Sequence, residues 1–140
     1  MNPAAALAIA LAFMGGGLLL SGIAPYDRGT WLLEVFPVVV AMPLLWFTRR
    51  RFPLTPLSVL LLALFALVLE TGGQYTYARV PLGDWLRDVL ELSRNNFDRI
   101  GHFLQGFVPA MVARELLLRR TPLRPGGWLV LVWNERRIDR

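Results

Sequence analysis

An all-α membrane bundle follows from three features of this 140-residue chain. Hydrophobic residues make up 55% of it and charged residues 18%, and the mean hydropathy is +0.47. The apolar residues come in long runs, unlike the short alternations of a small soluble core. The charges gather where those runs end. Together these features predict a polytopic bundle of four transmembrane helices with a short interfacial helix, in a single integral domain over 1–140.

The first run, Ala4 to Ala24, is free of charge and matches the roughly 20 residues that cross a hydrocarbon core about 30 Å thick. A cleaved signal peptide is the competing reading. Met1 to Pro3 supply no basic n-region, however, and Pro25 follows the only small-residue exit, Gly22-Ile23-Ala24; the run is also longer than an h-region of about 7–15 residues. The run is therefore read as a retained span, 4–24. Its Gly15-Gly16-Gly17 weakens the helix but lets a neighbouring backbone approach.

The second span covers 30–48, with Glu34 its only charge, Thr30 as candidate cap, and Trp31 and Trp46 as interfacial anchors. Pro37 and Pro43 should bend it, and Arg49-Arg50-Arg51 stops it. The third span, 54–71, opens with Pro56, where a missing N–H does least harm, and closes at Glu70 and Thr71-Gly72-Gly73. Residues 74–97 form the longest polar connection. Within it Asp84 to Leu92 carries Trp85, Leu86, Val89, Leu90 and Leu92 at the spacing of an amphipathic surface helix. The fourth span, 97–118, is the least hydrophobic, with Pro109 in its middle. Residues 121–140 hold one apolar hexamer, 128–133. At 1.5 Å per residue it covers only about 9 Å, so the tail is expected not to span.

All fifteen basic residues are arginine. Arg49 to Arg51, and Arg119, Arg120 and Arg124, fall on one side of the predicted spans, which the positive-inside rule makes cytoplasmic, with both termini. The sequence pI near 11.0 would suit nucleic acid, but the arginines terminate apolar runs instead of forming a stripe among exposed aromatics. The expected partners are the lipid bilayer and a second membrane-protein surface, in a homo-oligomer or from another chain, and not nucleic acid. Cysteine is absent, which excludes thiolate catalysis and cysteine metal sites.

This topology collects polar groups in the outer half. Asp98, His102 and Gln105 lie on the fourth span, Glu34 on the second and Glu70 on the third. Turning about 100° per residue puts His102 about 40° one way from Asp98 and Gln105 about 20° the other, one stripe on one face. Ionisable groups inside a membrane are costly, which makes Asp98, His102 and Gln105 candidate catalytic or binding residues. Glu70, at the end of its span, faces an unfavourable helix dipole and calls for compensation by Arg28, Arg79, Arg99, His102 or a cation. A divalent metal would find nitrogen and oxygen donors in His102, Asp98, Glu70 and Glu34, without the spacing of an established metal motif. Plainer readings stand beside these. Asp98 would occupy the first turn of a helix capped by Asn95, His102 would bond a loop carbonyl, Gln105 would tie helices together, and Arg114 with Glu115 would form a cytoplasmic interfacial pair.

Several long motifs resemble a known family. They are Pro25-Tyr26-Asp27-Arg28, Arg50-Arg51-Phe52-Pro53-Leu54-Thr55-Pro56, Gly72-Gly73-Gln74-Tyr75-Thr76-Tyr77, Val80-Pro81-Leu82-Gly83 and Ser93 to Ala110 with Arg114-Glu115. In this order they are similar to the YjdF-like bacterial inner-membrane proteins, over roughly residues 20–128. The resemblance implies a multi-pass inner-membrane address and no particular activity. It also implies further spans with acidic motifs after the fourth, so the chain reads as C-terminally shortened and a shared site as incomplete. Two function classes follow. One is a transport or assembly component whose polar cluster binds an ion or protons. The other is a membrane-embedded enzyme, in which His102 and the carboxylates act on a lipid-type substrate, with His102 as acid or base or as a metal ligand; outside both classes stands an inactive shortened relative.

Overall fold

A computed structural model describes residues 1–120, and the expected surface tail, 121–140, lies outside the described residues. The described chain forms five helices in the order α1 (Pro3–Ser21), α2 (Arg28–Thr48), α3 (Pro56–Tyr75), α4 (Pro81–Val89) and α5 (Phe97–Arg120). Local chemistry sets their starts. Asn2 caps α1 by accepting from Ala4 N, and Thr55 caps α3 by accepting from Ser58 N, each ahead of a proline in the first turn. Asp27, not Thr30, caps α2: its Oδ1 accepts from Gly29 N at 3.0 Å, and Thr30 Oγ1 donates to its Oδ2 at 2.9 Å. α2 and α5 remain helical through Pro37, Pro43 and Pro109.

α3 is the hub. It packs extensively against α1, α2 and α5, while α1 and α2 touch one another much less. The buried core is Ala10, Met14, Val38, Val59, Ala63 and Ala66. Alanines at the crossings suit a lipid-embedded bundle, where close packing replaces the hydrophobic driving force between helices. Of the glycine triplet, Gly17 meets Leu67 and Glu70 of α3 and Gly15 meets Met42 of α2, while Gly16 faces open space.

Among the described residues three helices, α1, α2 and α3, are long and apolar enough to cross a membrane. The expected fourth, α5, is not among them. Its 24 residues would extend about 36 Å, so the shortfall is one of hydropathy and not of length. Asp98, Arg99, Arg114, Glu115, Arg119 and Arg120 all lie on it. The short amphipathic helix starts at Pro81, three residues before the expected Asp84, and ends at Val89 just ahead of Glu91, whose φ of 54° is left-handed. α3 runs through Gly72 and Gly73 to Tyr75, past its expected end. Among the described residues there is no strand.

The bundle has two distinct ends. At the arginine end, Arg119 Nη1 donates to Pro53 O and Arg120 Nη2 to Arg51 O, joining the end of α5 to the loop before α3. At the loop end, Tyr26 N donates to Gln74 O at 2.9 Å, and Trp31 Nε1 donates to Ser21 Oγ at 2.9 Å.

Candidate functional site

The loop-end site begins with a reversal of the chain. Thr76 and Tyr77 adopt φ of 56° and 49°, a left-handed pair that is uncommon without glycine. The reversal folds Tyr77 back, and its N–H bonds Gly72 O at 2.8 Å. Its ring then lies directly on α3. A Cβ on Gly72 would sit 2.3 Å from that ring, and one on Gly101 of α5 would sit 3.1 Å from it. Two glycines on two helices thus open the slot that Tyr77 fills. From the slot its hydroxyl donates to Glu34 Oε2 at 3.0 Å. Burial, and secondarily the Glu34 carboxylate that accepts this bond, hold the Tyr77 hydroxyl well above the ordinary phenol range. Tyr77 therefore stays protonated and remains a donor.

Because α2 and α5 both lean on α3, a groove of about 480 Å³ is left between them. Phe65 and Leu69 of α3 line it, and Glu34, Tyr77, Asp98, His102 and Gln105 contribute its polar groups. The stripe expected on one face of the fourth span is thus present along α5, with Glu34 across the groove. Asp98 pairs with Arg94 at 3.5 Å through Oδ2, whereas its Oδ1 is buried without a partner among the described residues. Asn95, the expected cap, lies two residues before the start of α5, with Asn96 between them. Asn95 Oδ1 accepts from Phe97 N at 3.0 Å, and Asn95 Nδ2 donates to Val80 O and Asp84 Oδ1, each at 3.0 Å, tying α4 to the start of α5.

Glu70 is elsewhere. Phe65 and Leu69 are one turn apart and face the groove, so Glu70, about 100° further round, is directed to another side of α3. It lies against α1, where a Cβ on Gly17 would come within 2.0 Å of its Oε2. It is 1% exposed, and neither carboxylate oxygen has a hydrogen-bond partner among the described residues. The expected compensation by Arg28, Arg79, Arg99 or His102 is not made. Among the described residues no three or more His, Cys, Asp and Glu side chains gather as a metal site. The expected set of His102, Asp98, Glu70 and Glu34 is therefore not assembled, because the helical phase of α3 sends Glu70 to α1.

The sequence reading missed Glu115. Expected to pair with Arg114 at the interface, it is instead 9% exposed and bridged at 3.2 Å by Arg119. Its Oε1 accepts from Thr55 N at 2.6 Å, and its Oε2 accepts from Thr55 Oγ1 at 3.0 Å and from Ser58 Oγ. A carboxylate of α5 thus occupies the start of α3, where free N–H groups and the helix dipole favour an anion. The Thr55-Pro56 start was legible locally, but its sixty-residue separation from Glu115 was not.

A family-wide sequence profile described as "Predicted membrane protein (DUF2238)" matches residues 6–133. The chain is also 54% identical over 102 residues to "Inner membrane protein YjdF" of Escherichia coli (strain K12), covering 73% of this chain and 49% of that protein. The chain spans about half the length of this curated relative. No solved structure matches the chain.

Proposed function

The chain belongs to the predicted membrane protein family DUF2238, and from that premise we propose a multi-pass inner-membrane protein whose α2–α5 groove binds protons within a transport or assembly function. The inner-membrane address rests on the name of the Escherichia coli relative. In this reading α5 is the fourth span, α4 lies in the interface by its amphipathic sequence, and the arginine end faces the cytoplasm.

One observation carries the proposal: Glu34, Asp98 and His102 line a single groove from two helices. Carboxylates and an imidazole together offer proton-accepting sites, and imidazole ordinarily titrates near neutrality. Tyr77 fixes one Glu34 oxygen, and Asp98 Oδ1 is left without a bond. Charges that share a groove act on one another across it, so removing one is expected to be felt by the others.

The test follows the His102 ring by NMR across pH in the intact chain in detergent micelles. The expected result is that its midpoint moves on Asp98→Asn and on Glu34→Gln and is unchanged by Glu70→Gln, which lies against α1. A midpoint identical in all four proteins would overturn the coupled groove.

A further inference from the structure

At the arginine end the bundle has a second groove, formed because α1 and α2 part. Their loop ends are pinned by the Trp31–Ser21 bond and by the Trp31 ring, which a Cβ on Gly22 would meet at 2.9 Å. Taken over their whole length the two helices touch little. A groove of about 540 Å³ opens between the start of α1, with Asn2 and Leu7, and the end of α2, with Trp46, Arg49 and Arg50, and Phe52 of the following loop completes it. Its walls are mainly hydrocarbon and its mouth is cationic.

The cations are partly fixed in place. The Arg49 guanidinium lies 3.8 Å from the Trp46 ring centroid and donates Nη1 to Trp46 O at 2.5 Å. Arg120 lies 4.1 Å from the Phe52 ring centroid and donates to Arg51 O at 2.6 Å. Among the described residues the acid at this end, Glu115, is already engaged by Thr55, Ser58 and Arg119. Among the described residues Arg49, Arg50, Arg51 and Arg120 make no ion pair. Guanidinium groups with no acid partner among the described residues, at the lip of an apolar groove, call for an anion with a hydrocarbon tail. A soluble phosphate would answer the charge and leave the groove unfilled.

We propose that this groove binds one anionic phospholipid, with its phosphodiester on Arg49 and Arg50 and an acyl chain between α1 and α2. Guanidinium groups match phosphate oxygens in geometry as well as charge, and basic pockets between membrane helices suit acidic head groups. The site is separate from the α2–α5 groove and needs no assumption about which leaflet it faces.

The test uses the intact chain in a non-ionic detergent, with native mass spectrometry to count retained phosphatidylglycerol and phosphatidylcholine of matched acyl chains. Retention of phosphatidylglycerol is expected to exceed that of phosphatidylcholine roughly tenfold or more. The R49Q/R50Q double variant should lose the preference, and R49K/R50K should keep most of it, which separates charge from folding. Ala8, which also lines the groove, should on A8F reduce retention of both lipids with the arginines intact. Soluble glycerol phosphate should not compete. Equal retention of the two lipids, an unchanged preference in R49Q/R50Q, or full retention in A8F would overturn the proposal. Displacement by equimolar glycerol phosphate would overturn it in favour of a small-anion site.

Discussion

Gly72 decides whether Tyr77 can reach Glu34. With a Cβ 2.3 Å from the phenol ring, Gly72→Ala must expel the ring or shift α3, at a cost of about 1–3 kcal/mol. A lower thermal midpoint in detergent is the expected result, and an unchanged midpoint would show that the slot has slack. Gly17 and Glu70 form a second steric pair, across α1 and α3. Gly17→Ala should destabilise the wild-type bundle but be tolerated beside Glu70→Ala, because the added methyl then enters the space the carboxylate left. The double-mutant coupling should lie at about 0.5–3 kcal/mol, and strictly additive midpoints would contradict the contact. The packing role of the glycine triplet was legible, since small residues in a span have few other uses. The position of Glu70 was not, because it depends on α3 continuing to Tyr75 and on which face of α3 meets α1.

Between elements, the strongest polar fastening is Glu115 on the start of α3. Removing its side chain leaves Thr55 N–H and the Ser58 hydroxyl without their acceptor, while the Thr55 hydroxyl keeps only Ser58 Oγ, at 3.3 Å, as acceptor. Unsatisfied buried donors cost about 1–3 kcal/mol. Glu115→Ala should therefore loosen α5 first, seen as faster hydrogen exchange over 97–120 with slower change over α1 and α2. Uniform acceleration across the bundle would mean that Glu115 supports the whole and not one joint. Helix existence and order were legible from the apolar runs and the capping residues. The joint was not, because a lone Glu within Arg114 to Arg120 reads locally as interfacial charge. Asn95 shows the opposite case, since its bond to Phe97 N is short-range and its part in starting α5 could be read locally.

At the scale of the molecule, the proposed orientation rests on the arginine asymmetry. Arg50 and Ala78 are exposed at opposite ends, so single cysteines there should respond oppositely to an impermeant thiol reagent on intact cells, with Ala78→Cys labelled and Arg50→Cys protected. Labelling of Arg50→Cys alone would invert the topology and place the α2–α5 groove near the cytoplasm. The all-helical class was legible because hydropathy acts over whole segments. The expected fourth span was harder to read, since α5 combines the length of a span with the charge of a surface helix, and composition alone does not decide between them.

The central place of α3 also sets a timetable. α1 and α2 leave the ribosome first, yet each makes its main contacts with a helix still to be synthesised. The early hairpin should sit in the bilayer held chiefly by its loop, and tighten only when residues 56–75 arrive. Cysteines replacing Gly15 and Met42, joined by a short bifunctional thiol reagent, report on that step, since a Cβ on Gly15 would lie 3.5 Å from the tip of the Met42 side chain in the finished bundle. Their crosslink should form poorly in membrane-inserted nascent chains arrested while Thr48 has just cleared the insertion machinery, and well once Tyr75 has cleared it. Equal yields at the two lengths would mean that the first two helices find their register unaided.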